Sequence, residues 1–233
     1  MNPLGISIRL DLEQSIRREF GGVVASNPLL AELVQSLTAQ GRIVIFGGFV
    51  RDRIHNVVHR DKLESRDIDL VVCGTLKNLA DETLKTNFGG HRRRIGGDLK
   101  VDYWEIGRTY AFGRGLFEPK LENLPLTTVY TVNACFFDLA EGRLIEHGAV
   151  RDIADKTIAF NCSSYLDVFP EYQAFRAMDL AHRLGYQLNA RVRAFVRSRI
   201  DESTAEEFFI AVQKHRREVT REEIEKLCGE YSR

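Results

Sequence analysis

Two aspartates one residue apart open the apolar run Asp67-Ile68-Asp69-Leu70-Val71-Val72, downstream of a glycine pair, Gly47-Gly48. On a β-strand, residues i and i+2 project from the same face. Asp67 and Asp69 therefore point together, while Ile68 and Leu70 turn the other way. Two carboxylates that close repel each other unless a cation lies between them. Mg²⁺ takes hard oxygen ligands from one or two carboxylates together with substrate phosphates. Two such ions about 4 Å apart stabilise the attacking and leaving oxygens of an in-line phosphoryl displacement. A third carboxylate on a neighbouring strand would complete that site. The stretch LKVDYWEIG (99–107) offers two. Alternation places Asp102 on one face with Lys100 and Trp104, and Glu105 on the other. Asp102, in the apolar first half of the strand, is the expected third ligand.

The glycine pair suits the same chemistry. It lies between a β-rich run, RIVIF (42–46), and a stretch with helical spacing, FVRDRIHNVV (49–58). Glycine lets backbone N–H groups approach a triphosphate closely, and the helix start adds a favourable field for an anion. Arg51 and Asp52 fall in the first helical turn. Asp52 suits that place on dipole grounds alone. Arg51 has two readings, a phosphate contact or a pair with a nearby carboxylate.

The elements that must position these groups follow from pattern. Residues 1–40 read as helical, with Asn27-Pro28 as an N-cap and first-turn proline. DIDLVV and LKVDYWEIG read as strands, and LKNLADETLKTNF (76–88) as a helix between them. VYTVNACFFDL and RLIEH, joined by Ala140-Glu141-Gly142, read as a hairpin. From about residue 167 the spacing is helical to the end, with capping boxes at Thr204–Glu207 and Thr220–Glu223. The expected division is an N-terminal helical segment (1–40), a mixed α/β head (41–160) and a helical segment (161–233).

Composition narrows the classes. The 233 residues carry 33 Lys+Arg and 33 Asp+Glu, so no global field advertises a nucleic-acid partner. Any RNA site has to be a local patch, and three stretches qualify: HRRR (91–94), the arginines 191, 193, 197 and 199, and KHRR (214–217). The usual alternative for such runs is a solvated face. Cys73, Cys135, Cys162 and Cys228 make no zinc spacing and read as reduced, packed thiols. No apolar run reaches the length of a membrane span and no signal-peptide segment opens the chain, so a cytoplasmic protein with no membrane partner is expected.

GGFVRD together with DIDLVV resembles the head of the class II nucleotidyltransferases of the DNA polymerase β superfamily, the bacterial poly(A) polymerases and CCA-adding tRNA nucleotidyltransferases. YTVNACFFDLAEGRLIEHGAVRDIADKTIAF is similar to that family's Phe-Thr-Val-Asn-Ala strand, hairpin and helix, and AFRAMDLAHRLGY to its neck helix. The likeness spans about 42–186. It implies an α+β fold, a polymerase-β-like head with a small mixed sheet followed by a helical neck. It also implies a two-metal transfer of NMP from an NTP, with release of pyrophosphate. Asp67, Asp69 and Asp102 would be the catalytic acids and would hold Mg²⁺, or Mn²⁺ in its place. Gly47, Gly48, Arg51, Asp52 and Asn133 would belong to the nucleotide site, with Arg176, Asp179 and Arg183 on the neck-helix face that looks at the nucleotide.

The departures are specific. The family's Arg-Asp or Arg-Asn pair ahead of its Phe-Thr-Val-Asn-Ala strand is replaced by Thr128-Val129. In the neck, the base-reading Glu-Asp…Arg motif survives only in altered form around Glu171, with Gln173 at the arginine place. The face Gln173, Arg176, Asp179, Arg183 reads equally as a surface salt ladder, given its i,i+3 and i,i+4 spacing. Templated CCA addition is therefore not expected. Three functions follow in order: transfer to an RNA 3′ end, with tRNA as acceptor; nucleotidylation of a protein or small molecule, as in a toxin, stress or phage-defence enzyme; and a non-catalytic nucleotide- or RNA-binding protein.

Overall fold

The computed structural model describes residues 3–65, 67–77, 84–86, 89–96, 99–164 and 166–232. The chain divides into two compact units, one of residues 1–127 and 133–150, the other of 128–132 and 151–233.

The first unit starts with helices α1 (Pro3–Ala25) and α2 (Pro28–Thr38). Asn27 caps α2 as its spacing predicts, its side chain accepting from the Leu30 N–H at 3.3 Å, with Pro28 in the first turn. Strand β1 (Gly41–Phe46) leads into α3 (Gly48–His59). Then come β2 (Asp67–Gly74), β3 (Leu84–Lys85), β4 (His91–Gly96) and β5 (Leu99–Glu105). The helix expected over 76–88 falls largely outside the described residues, and within that range Leu84–Lys85 is strand. A one-turn helix α4 (Tyr110–Gly113) and 3₁₀ turns follow, and the expected hairpin is β6 (Cys135–Asp138) and β7 (Arg143–Glu146).

These strands form one mixed sheet in the order β3-β4-β5-β2-β1-β6-β7, in which β2 and β5 run parallel and the other pairs antiparallel. Period-2 alternation sorts the two faces. Ile43, Ile45, Ile68, Leu70, Val72, Val101 and Tyr103 are all buried, and α2 and α3 pack against the central strands. On the opposite face Val44, Val71 and Phe136 form a second cluster with Phe112 and Leu124 of the 106–127 segment. The acids Asp67, Asp69 and Asp102 share the parity of Val71, where that second cluster stops.

The second unit takes in most of α5 (Ala149–Ala154) and holds a short parallel ladder of β8 (Thr157–Ile158) and β9 (Gln187–Leu188). Its centre is α6 (Pro170–Leu184), which buries Tyr172, Ala174, Phe175, Ala177, Met178, Leu180, Ala181 and Leu184. Gly185 ends it in the left-handed region, φ +65°, which an L side chain adopts only with strain. Helices α7 (Ala190–Glu202), α8 (Ala205–Gln213) and α9 (Arg221–Tyr231) pack on α6. Both predicted capping boxes are formed, at Thr204–Glu207 and Thr220–Glu223. Among the described residues no helix is long and apolar enough to cross a membrane. The four cysteines are free thiols, and burial pushes those of Cys73, Cys135 and Cys228 up, Cys228 to about 11.

Candidate active site

The site is built on three adjacent strands of the first unit. Parallel pairing of β2 with β5 sets Asp69 directly beside Asp102 and Asp67 beside Lys100. Antiparallel pairing of β5 with β4 sets Asp102 beside Arg92. Asp69, Asp102 and Arg92 therefore form a row across the sheet. The register brings the Asp67–Asp69 pair and Asp102 to one face. Glu105 lies elsewhere: it accepts the Leu76 N–H at 2.8 Å and pairs with Arg108 at 2.8 Å.

Arg92 grips Asp102 with two parallel hydrogen bonds, Nε to Oδ1 at 2.6 Å and Nη2 to Oδ2 at 2.7 Å. Its guanidinium is held above the ordinary arginine value, first by those bonds and further by the charges of Asp102, Asp67 and Asp69, against partial burial. One guanidinium thus answers to all three acids. Sequence reasoning assigned Arg92 to a basic run for RNA phosphates. In the fold that run is the strand β4, in which Arg93 is buried beside Glu32, 3.8 Å away, and Arg94 is exposed.

The glycine turn adjoins the acids. Phe46, the last residue of β1, is the register partner of Asp69. Gly47 follows at φ 66°, ψ −116°, and a Cβ built on it would come within 4.0 Å of Asp69 Oδ2. The Gly47 N–H is spent on the Cys135 carbonyl at 3.0 Å. The donors available for an anion are therefore those of Gly48, Phe49 and Val50, the first residues of α3. Their N–H groups have no acceptor inside the helix, and Gly47 as N-cap brings no side chain to them.

Arg51 and Asp52 face the interior. Arg51 Nε reaches Asp52 Oδ1 at 2.8 Å and Arg51 Nη1 reaches Asn133 Oδ1 at 2.8 Å; Ser65 Oγ donates to Asp52 Oδ2 at 2.7 Å. Both charged side chains are more than nine-tenths buried. Of the two readings left open for Arg51, its contacts realise the carboxylate pair. Arg51, Asp52 and Asn133 tie the turn after β1 to the segment before β6.

In the second unit, Asp179 Oδ1 accepts from Arg183 Nε at 3.0 Å, and Arg216 stands 3.8 Å from Asp179 Oδ2. Arg176 lies over the Tyr172 ring, 5.9 Å from its centroid. Gln173 is buried, its carbonyl accepts the Tyr130 hydroxyl at 2.6 Å, and its Oε1 has no hydrogen-bond partner among the described residues. Burial raises the Tyr130 hydroxyl pKa, which keeps it a donor. KHRR (214–217) is only partly open: Lys214 and Arg217 are exposed, while His215 stacks on Tyr172 and Arg216 pairs with Glu218. Arg191, Arg193 and Arg197 of α7 are exposed.

Among the described residues no group of three His, Cys, Asp or Glu side chains is gathered as a metal cage. The donor set still fits a hard divalent ion, which needs only one or two carboxylates when phosphate oxygens supply the rest.

No family model and no curated protein sequence matches this chain. Solved structures do. A CCA-adding enzyme in an apo form is 18% identical over 88% of this chain and 51% of its own, with a TM-score of 0.58. A tRNA-processing enzyme solved with CTP is 24% identical over 82% and 53%, TM-score 0.55. The Thermotoga maritima CCA-adding enzyme complexed with tRNA is 18% identical over 82% and 46%, TM-score 0.54. The chain spans about half the length of the solved proteins it matches. At these identities the likeness concerns architecture: the chain shares the mixed α/β fold of the matched part of the CCA-adding enzymes.

Proposed function

We propose that the chain is a metal-dependent nucleotidyltransferase that moves an NMP from an NTP to an RNA 3′ end, with tRNA as the favoured acceptor. The observation that carries this reading is the placement of Asp69 beside Asp102 and next to the Gly47 turn, on a fold whose solved examples include enzymes complexed with ATP and CTP. Asp67, Asp69 and Asp102 would hold Mg²⁺, which supplies charge neutralisation for the attacking and leaving oxygens. The amides opening α3 would hold the triphosphate. The Arg51–Asp52–Asn133 network keeps that turn from shifting, which matters because positioning is most of the catalysis in phosphoryl transfer. The 3′-hydroxyl attacks the α-phosphorus and pyrophosphate departs.

The test is incubation with each of the four α-labelled NTPs, Mg²⁺ and a cell lysate. Label in RNA is expected. Label in protein would replace the RNA acceptor with a protein one, and label in neither would overturn the enzymatic reading.

Gly48→Ala probes the phosphate cradle. A Cβ there would meet only Arg51 Nη2, at an ordinary 3.8 Å, so the fold tolerates it. A triphosphate that must touch the backbone does not. ATP affinity by calorimetry should weaken about tenfold, one well-formed contact's worth, with the melting temperature unchanged. Equal affinity would remove Gly48 from the site.

Base choice is expected to be loose. A carboxamide at Gln173 offers fewer donors than the arginine it stands for, and sites without a matched polar partner discriminate weakly, by about a hundredfold or less. Sequenced product ends should show one nucleotide type or a mixed tail, not ordered C-C-A. Arg176→Ala should change the NTP preference and not merely the rate. Faithful C-C-A ends would contradict this reading, and an unchanged preference in the variant would leave Arg176 with its Tyr172 contact alone.

A further inference from the structure

Arg92 and Asp102 are unequal partners. The Asp102 side chain is 12% exposed and fixed on β5 between β2 and β4; the Arg92 side chain is 40% exposed at the flank of the row. If the pair parts, the guanidinium can swing out and be hydrated, whereas the carboxylate stays where it is, beside Asp69. The pair also sets a positive charge beside the acids that share this face. Neighbouring strands lie about 4.8 Å apart, so Asp69 and Asp102 repel strongly unless a cation answers them. Arg92 is that cation, and it is bound by both of Asp102's oxygens.

We infer that Arg92 is a resident counter-ion that competes with the divalent metal for Asp102, latching the third carboxylate until metal and nucleotide displace the guanidinium. This rests on the assignment of Asp67, Asp69 and Asp102 as the metal-binding acids. It makes Arg92 a positioning residue with a cost: it stabilises the metal-free fold and weakens metal binding. A purely structural salt bridge would do only the first. A residue that holds Asp102 in its ligating pose would do the reverse of the second.

The experiment is a Mn²⁺ titration by calorimetry at low salt, where such pairs are least screened, on the full chain. Variants are Arg92→Gln, Asp102→Asn, the double variant and Asp69→Asn. Arg92→Gln should bind Mn²⁺ about fivefold more tightly, the size of a partly exposed ion pair. It should also melt lower without metal and show a larger Mn²⁺-induced rise in melting temperature. The gain should vanish when Arg92→Gln is compared in the Asp102→Asn background. Should Arg92→Gln fold poorly, Arg92→Lys keeps the charge but loses the two-pronged grip and should show part of the gain. Unchanged or weaker Mn²⁺ binding in the folded variant would overturn the latch. Failure of the metal assignment itself has a separate signature: Asp69→Asn would bind Mn²⁺ as the wild type does.

Discussion

Asp69→Asn is expected to lower nucleotidyl transfer by about a thousandfold, the scale on which removal of one preorganised electrostatic group slows an enzyme, while urea denaturation shifts by less than about 1 kcal/mol. The contrast follows from where Asp69 stands. Its neighbours on β2, Ile68 and Leu70, are fully buried and carry the packing; Asp69 itself is half-exposed at the edge of the second cluster. Asparagine keeps its volume and loses its charge. The loss therefore falls on whatever cation the carboxylate answers. Asp67→Asn should behave alike, since it shares the face, and the double variant should be little worse than either single one because the two acids act on one site. Label transfer from the preferred NTP measures this. Near-normal turnover in either single variant with Mg²⁺ present would end the metal assignment and leave the pair as exposed acids on a strand.

What the sequence revealed and what it hid divide along a physical line. Local chemistry was legible. The Asn27-Pro28 start, the two capping boxes, the glycine turn and the alternation of β2 each depend on residues a few places apart, and each is present. The pairing Asp69–Asp102 was half legible. Alternation showed that Asp102 and Glu105 point opposite ways, but only the parallel register shows which of them meets Asp69. Arg92 was not legible as a site residue. Its run of basic neighbours looks like a solvated patch, and nothing within β4 indicates that β5 lies alongside with an aspartate opposite. Arg51 kept two readings for the same reason. Position in a first helical turn says which groups are near a phosphate site, not whether the side chain turns outward or inward, and its partner Asn133 lies far along the chain. A signal did exist at Asn133, a polar residue set between Val132 and Ala134 ahead of the apolar run Cys135-Phe136-Phe137, where a polar side chain needs a partner.

That inward network carries the second large effect. Arg51→Met keeps most of the side-chain stem and removes the guanidinium. Among the described residues Asp52 would then keep Ser65 as a neutral donor, and Asn133 Oδ1 would lose the Arg51 guanidinium. Breaking a buried ion pair from one side costs about 3–5 kcal/mol, because the remaining charge stays desolvated. The expected result is a fall of that size in unfolding free energy by urea denaturation, with the slope of the transition unchanged. Adding Asp52→Asn to Arg51→Met should recover part of the loss, since it removes the stranded charge, and a double-mutant cycle would register the coupling. A phosphate-binding Arg51 predicts otherwise: little loss of stability, a large loss of ATP affinity and no recovery in the double variant. The two measurements separate a residue that touches the nucleotide from one that holds in place the turn on which the nucleotide rests.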